Sequence, residues 1–234
     1  MRLILQLILR LAFRLRVVGD LTSLIAGKAL VVANHDSILD GALLGLFLPS
    51  RAWVVVARDD MASGLNRFLM RFVHSRVLDL SEPATVKRMV RLLDGGGLLV
   101  MFPQGRVTAT ASGMKLYHSV ATIATRSGAP IVPVTLDGLL YSQYSRTPGD
   151  FPRRRLPRVT IRVFDAVRLP EFGAISTRLK RRKAADALSA IMQRAAFDTR
   201  RRETLFEAFV RAVENHSVRQ LRSIMLALQH RDEP

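Results

Sequence analysis

The chain has no cysteine, few aromatic residues, an acid content well below its base content and no long apolar run near its start. Without cysteine there is no disulfide, no thiolate metal ligand and no cysteine nucleophile, and the composition suits a reducing compartment. Aromatic residues make up 6% of 234, and no stacking motif is interleaved with the basic residues. That argues against nucleic acid as the partner. In residues 1–18 the longest uncharged stretch is seven residues (LILQLIL), far short of the roughly 20 that span a bilayer. Arginines interrupt this region and no small-residue cleavage site follows it, so it does not read as a signal peptide either.

What is present is positive charge on an apolar background. Lys and Arg number 36 against 19 Asp and Glu, a net charge of +17, and 49% of residues are hydrophobic. Arginine supplies 31 of the 36 bases, and its planar fork suits phosphate groups. An anionic partner is implied, and the positive mean hydropathy turns the choice toward an anionic membrane surface. Between residues 151 and 202 there are 15 basic and 4 acidic side chains, dominated by Arg153-Arg154-Arg155 and Lys180-Arg181-Arg182-Lys183.

The periodicity separates the chain into three parts. In residues 1–18, Arg2, Gln6, Arg10 and Arg14 recur every four positions on an aliphatic background. This predicts an interfacial helix with its apolar face in the acyl region and its arginines at the headgroups. Next, apolar strand patterns at residues 28–33, 52–57, 76–80, 98–102, 131–136 and 159–164 alternate with helical ones. The helices are expected just after Asn34, over 59–73, from the Ser81-Glu82-Pro83 start to Asp94, and over 117–126. The alternation predicts an α/β domain with a largely parallel central sheet flanked by helices. Residues 177–197 and 204–229 read as long helices without strands.

The chemistry gathers at strand ends. Asn34-His35-Asp36-Ser37-Ile38-Leu39-Asp40 follows an apolar strand and opens a helix, the carboxyl edge where open α/β sheets collect their sites. A histidine five positions before an aspartate shares a hydrogen bond if the helix begins between them. Asp40 then fixes the imidazole tautomer while His35 takes a proton. Phe102-Pro103-Gln104-Gly105-Arg106 brings a tight turn and an arginine to the same edge, where glycine admits a ligand to the backbone and arginine clamps a phosphate. Val132-Pro133-Val134 lies in a later strand, and proline favours a strand end or an edge. There is no metal-ligand cluster, no cysteine and no obvious activated serine, which disfavours a covalent intermediate on the protein.

In this order and spacing the blocks resemble the glycerolipid acyltransferase family, which includes the lysophosphatidic acid acyltransferases. The first block matches N-H-x-x-x-x-D, the third F-P-E-G with Gln104 in place of Glu, and the fourth V-P-V. The second family block, which often ends in arginine, corresponds to residues 76–80, ending here in Leu80. Segments 16–20, 43–49, 102–108, 113–115 and 202–205 are most similar to the acyltransferase half of bacterial bifunctional 2-acylglycerophosphoethanolamine acyltransferase/acyl-carrier-protein synthetases. The synthetase half is absent from this chain.

The resemblance implies a glycerol-3-phosphate acyltransferase-like fold. It divides the chain into an interface helix over 1–18, an acyltransferase domain over 19–200 and a helical extension over 201–234. It assigns His35 as general base and Asp40 as its partner, and places Gly105 and Arg106 at the acceptor's phosphate. Asn34, Gln104, Lys115 and Pro133 fall with the substrate-binding set. No cofactor or metal is implied beyond an acyl thioester co-substrate, acyl carrier protein or coenzyme A, with a separate synthetase as one conceivable supplier. The implied reaction is acylation of a lysophospholipid, with 2-acyl-glycerophosphoethanolamine as the foremost acceptor. The setting is the cytoplasmic face of a bacterial inner membrane, reached as a peripheral protein. Two alternatives stay open: 1-acylglycerol-3-phosphate acylation, and a basic membrane-binding protein that has lost catalysis.

Overall fold

The apolar runs at residues 29–33, 98–101 and 131–134 form the centre of a sheet covered on both faces, as parallel strands require. The computed structural model describes residues 1–25, 27–49, 52–56, 64–77, 83–103, 118–145, 153–173 and 176–201. Helix α1 (Arg2–Ala12) leads into strand β1 (Arg16–Gly19) and the short helix α2 (Thr22–Ile25). Then come β2 (Ala29–Ala33), α3 (Asp40–Phe47), β3 (Ala52–Val56), α4 (Gly64–Met70), β4 (Ser75–Val77), α5 (Pro83–Asp94) and β5 (Leu98–Met101). Helix α6 (His118–Ser127), β6 (Ile131–Asp137), a 3-10 turn at Leu139–Tyr141, β7 (Thr160–Val163) and α7 (Thr177–Arg201) complete the order.

Among the described residues the seven strands lie in the order β1-β7-β6-β2-β5-β3-β4. Every pair is parallel except β6 with β7, so β1 and β7 run against the other five. The expected α/β class with a largely parallel sheet is what forms. Alternate residues of β2 divide between two cores. Ala29, Val31 and Ala33 meet the side formed by α1, α3 and α4, while Leu30 and Val32 meet the side of α5, α6 and α7. Helix α3 approaches the sheet through Gly45, where an added Cβ would stand 2.1 Å from Val73 Cγ1 and 3.1 Å from Val54 Cγ2. Gly45→Val is therefore expected to destabilise the fold by about 1–3 kcal/mol through overpacking, read as a lower Tm with unchanged secondary structure.

Several boundaries differ from the sequence pattern, each for a physical reason. The first helix ends at Ala12, because Arg14 turns the chain at φ +43° and residues 16–19 join the sheet beside β7. The helix expected just after Asn34 begins only at Asp40, leaving a loop over 34–39. Pro133 lies not at an edge but mid-strand, between β2 and β7. Its carbonyl accepts from Phe164 N–H at 3.0 Å, so its missing N–H faces β7, where the pairing is already interrupted. Val134 pairs with Val163 while Ile131 bridges Val167, one extra residue on the β7 side. A bulge tolerates proline in the interior of a sheet. Of the helix expected over 59–73, α4 covers 64–70, and residues 59–63 lie outside the described residues, as do 78–80 of the strand expected over 76–80 and the whole helix expected over 204–229.

Candidate active site

The end of β2 and the start of α3 bring His35 and Asp40 together. Asp40 is the first residue of α3, a position where the helix dipole favours a negative charge. Its Oδ2 accepts from His35 Nδ1 at 2.9 Å, from the Asp36 N–H at 2.7 Å and from the Ser37 N–H at 2.8 Å. The five-residue spacing works because the loop folds back over the helix start, with Asp40 N–H donating to the Ser37 carbonyl at 3.2 Å. A carboxylate only accepts, so Nδ1 carries the proton and Nε2 is the basic nitrogen of the neutral ring. His35 is 3% exposed and Asp40 is fully buried. The imidazole stacks on Phe102 at the end of β5, centroids 4.3 Å apart and planes 22° from parallel. The opposite oxygen, Asp40 Oδ1, is buried with no hydrogen-bond partner among the described residues.

Asn34 has a different position from His35. Its Nδ2 donates to the Leu136 carbonyl at 2.9 Å and to Asp36 Oδ2 at 2.6 Å, and its Oδ1 accepts from the Leu136 N–H at 2.8 Å. The amide thus pairs with β6 as a peptide group would, tying the end of β2 to its neighbour. Pro133 is buried in β6 opposite Val32. Gln104, Gly105, Arg106 and Lys115 lie outside the described residues. Ser37 and Asp36 are site residues that the sequence pattern left as unspecified positions. Their signal was only that they fall inside the motif.

Asp36 is half-buried beside Asp40. Burial, then the Asp40 charge, push its carboxyl up to about 6, against the lowering effect of the Asn34 hydrogen bond and of His35. The folded state therefore holds this proton more tightly than the unfolded chain does. Its stabilisation is complete below the ordinary carboxylate value and is lost as pH rises through about 6. Asp36→Asn keeps an oxygen for Asn34 and removes the charge. It is expected to raise stability above pH 6 by about 1–2 kcal/mol after solvent screening, with the gain fading toward pH 4. Thermal melts of both proteins across that range check it.

The two arginine-rich clusters part in space. Arg153 Nη1 donates to the Ser145 carbonyl at 2.7 Å, and Ser145 Oγ donates to the Asp36 carbonyl at 3.0 Å, so the 153–155 triplet stands beside the His35 loop. Helix α7 touches this end of the sheet at its other extremity, through the 2.8 Å contact of Thr199 with Thr135. Lys183 precedes Thr199 by 16 residues, about 24 Å along the helix at 1.5 Å per residue. The Lys180–Lys183 cluster therefore sits toward the amino edge of the sheet, away from His35.

A buried imidazole held at Nδ1 by an N–H-bonded carboxylate can accept a proton at Nε2 from an alcohol, and the carboxylate stabilises the cation that results. The fold is similar to that of the 1-acyl-sn-glycerophosphate (LPA) acyltransferase PlsC from Thermotoga maritima, with a TM-score of 0.58 and 18% sequence identity over 81% of this chain and 73% of that one. The Acyltransferase family model matches residues 14–137, more than half of the chain and a span that contains His35, Asp40, the Phe102–Arg106 block and Pro133. On that match the chain belongs to the Acyltransferase family.

Proposed function

We propose that this acyltransferase moves an acyl group from a thioester to the free hydroxyl of a lysophospholipid, with 2-acyl-glycerophosphoethanolamine as the foremost acceptor. The observation that carries the reading is the three-donor clamp on Asp40 Oδ2, which leaves His35 oriented as a base. In the reaction, Nε2 takes the proton as the acceptor oxygen attacks the thioester carbonyl. The tetrahedral intermediate then collapses, the C–S bond breaks, and the imidazolium returns its proton to the departing thiolate. Neither metal nor cofactor is needed for this sequence. Gly105 and Arg106 are assigned to the acceptor phosphate and Gln104 and Lys115 to the surrounding contacts, on the motif resemblance alone.

The setting we propose is peripheral, on the cytoplasmic face of a bacterial inner membrane. Among the described residues no helix is long and apolar enough to cross a bilayer. Helix α1 supports surface attachment in an orientation opposite to that expected for its first polar residues. Arg2 donates to the Gly45 and Leu46 carbonyls at 2.9 and 3.1 Å, and Gln6 donates to Leu46, so both face α3. Leu3, Ile4, Leu7, Ile8 and Leu11 are left outward, at 79% exposure for Leu3 and 71% for Leu11. An outward apolar stripe on a chain of net charge +17 suits an anionic bilayer. Leu7→Glu combined with Leu11→Glu is expected to weaken binding to phosphatidylglycerol-containing vesicles at least about 100-fold, since each leucine contributes roughly 1.5–3 kcal/mol when buried. Equal flotation of variant and parent would remove α1 from membrane attachment.

The test of the reaction is an assay of purified protein in which acyl-carrier-protein and coenzyme A thioesters are each crossed with a panel of lysophospholipids. Release of free thiol with appearance of diacyl product supports the proposal. Preference for 1-acylglycerol-3-phosphate would replace the acceptor assignment. The absence of transfer with every pair would leave the decayed, membrane-binding reading in its place.

A further inference from the structure

We propose that residues 139–145 form a brace for the catalytic loop, and that Ser145 and Arg153 are positioning residues for His35. The proposal rests on the reading of His35 as the base. The loop over 34–39 belongs to no helix or strand, so its backbone groups need partners from elsewhere. The stretch after β6 supplies them. Ser145 Oγ donates to the Asp36 carbonyl at 3.0 Å, and the Tyr144 carbonyl accepts from both the Ile38 N–H at 3.3 Å and Ser37 Oγ at 3.2 Å. Ser37 and Ser145 also form an antiparallel bridge. Ser37, Ser142 and Ser145 are all buried.

The brace is itself held from behind. Arg153 Nη1 donates to the Ser145 carbonyl at 2.7 Å, and the Gln143 N–H donates to the Arg154 carbonyl at 3.1 Å. At its start, Gly138 turns the chain out of β6 at φ +97°, where a Cβ would stand 1.9 Å from the Arg158 carbonyl oxygen. The sequence of contacts therefore runs from exposed Arg153 through Ser145 to the Asp36 peptide. The N–H groups of Asp36 and Ser37 aim Asp40 Oδ2, and Asp40 aims the imidazole. Because two of the three donors on Oδ2 are main-chain groups of this loop, a small displacement of the loop rotates the base away from the acceptor hydroxyl. Misplacement by about 1 Å far from the reacting atoms can lower a rate by about 100-fold.

The experiment uses the full chain and four variants: Ser145→Ala, Ser145→Thr, Arg153→Ala and His35→Gln. Two readouts are taken, steady-state acyl transfer and the NMR signal of the His35 Nδ1 proton, which is identified by its loss in His35→Gln. Ser145→Ala and Arg153→Ala are expected to lower kcat about 10-fold with KM within about twofold, and to broaden the His35 proton by faster exchange. Ser145→Thr, which keeps the hydroxyl, is expected to restore both. Parental kcat and an unchanged His35 signal in both alanine variants would overturn the brace. If Ser145→Ala does not fold, Arg153→Ala decides the question through the same readouts, since Arg153 is exposed. If the parent transfers no acyl group, the proposed reaction fails and the His35 signal alone decides the brace.

Discussion

Replacing Asp40 with asparagine is expected to slow acyl transfer by about 10³- to 10⁴-fold while the chain stays folded. The amide oxygen can occupy the place of Oδ2 and still accept from His35 and from the Asp36 and Ser37 N–H groups. Its NH2 then falls where Oδ1 stands, a buried position that makes no hydrogen bond among the described residues. An amide NH2 left there without acceptors carries a penalty of about 1–3 kcal/mol. The flipped rotamer is worse, since it sets NH2 against two N–H donors. The loop geometry thus survives, but the negative charge that stabilises a protonated imidazole is gone. Turnover measured beside a thermal melt separates the two effects. Parental turnover in a folded Asp40→Asn protein would remove the carboxylate from the mechanism.

His35→Ala is expected to lower acyl transfer by at least about 10³-fold, with vesicle binding retained. The imidazole makes its Asp40 contact and its stack on Phe102 at one edge of the sheet. The outward leucines of α1 belong to a helix on the α3 side and do not depend on that stack. Catalysis and surface attachment should therefore separate in this variant. A folded variant that kept its rate would assign the proton transfer to another residue.

How far these features were legible depends on whether a side chain or a main-chain group carries them. Strands β2 and β5 announce themselves because burial on both faces makes every position apolar, and β6 does so through Ile131-Val132-Pro133-Val134, ahead of Thr135. The His35–Asp40 pair was legible because both partners are side chains at a fixed spacing. Strand β1 was not, since Arg16 and Gly19 flank only two valines and the pairing with β7 is set by residues about 140 positions away. The four-residue period of α1 was visible, but a period does not say which side meets water. Arg2 and Gln6 find main-chain carbonyls of α3 instead. The same blindness hid the brace, whose acceptors are the carbonyls of Asp36 and Tyr144. Any residue type offers a carbonyl, so no pattern marks one.

The direction of α1 has a consequence for kinetics. Its start is fastened to the end of α3, at the amino edge of the parallel strands. Its end meets the opposite edge, where the Phe13 carbonyl accepts from the Val159 N–H at 3.0 Å. Helix and strands therefore run along a common direction, and a helix lying flat in an interface sets that direction in the plane of the lipid. The His35 edge then opens sideways along the bilayer. On the proposed attachment, a lysolipid reaches the base by lateral diffusion within one leaflet. Velocity then follows its mole fraction in the surface, and diluting that surface with inert lipid lowers the rate even when the bulk concentration is held fixed.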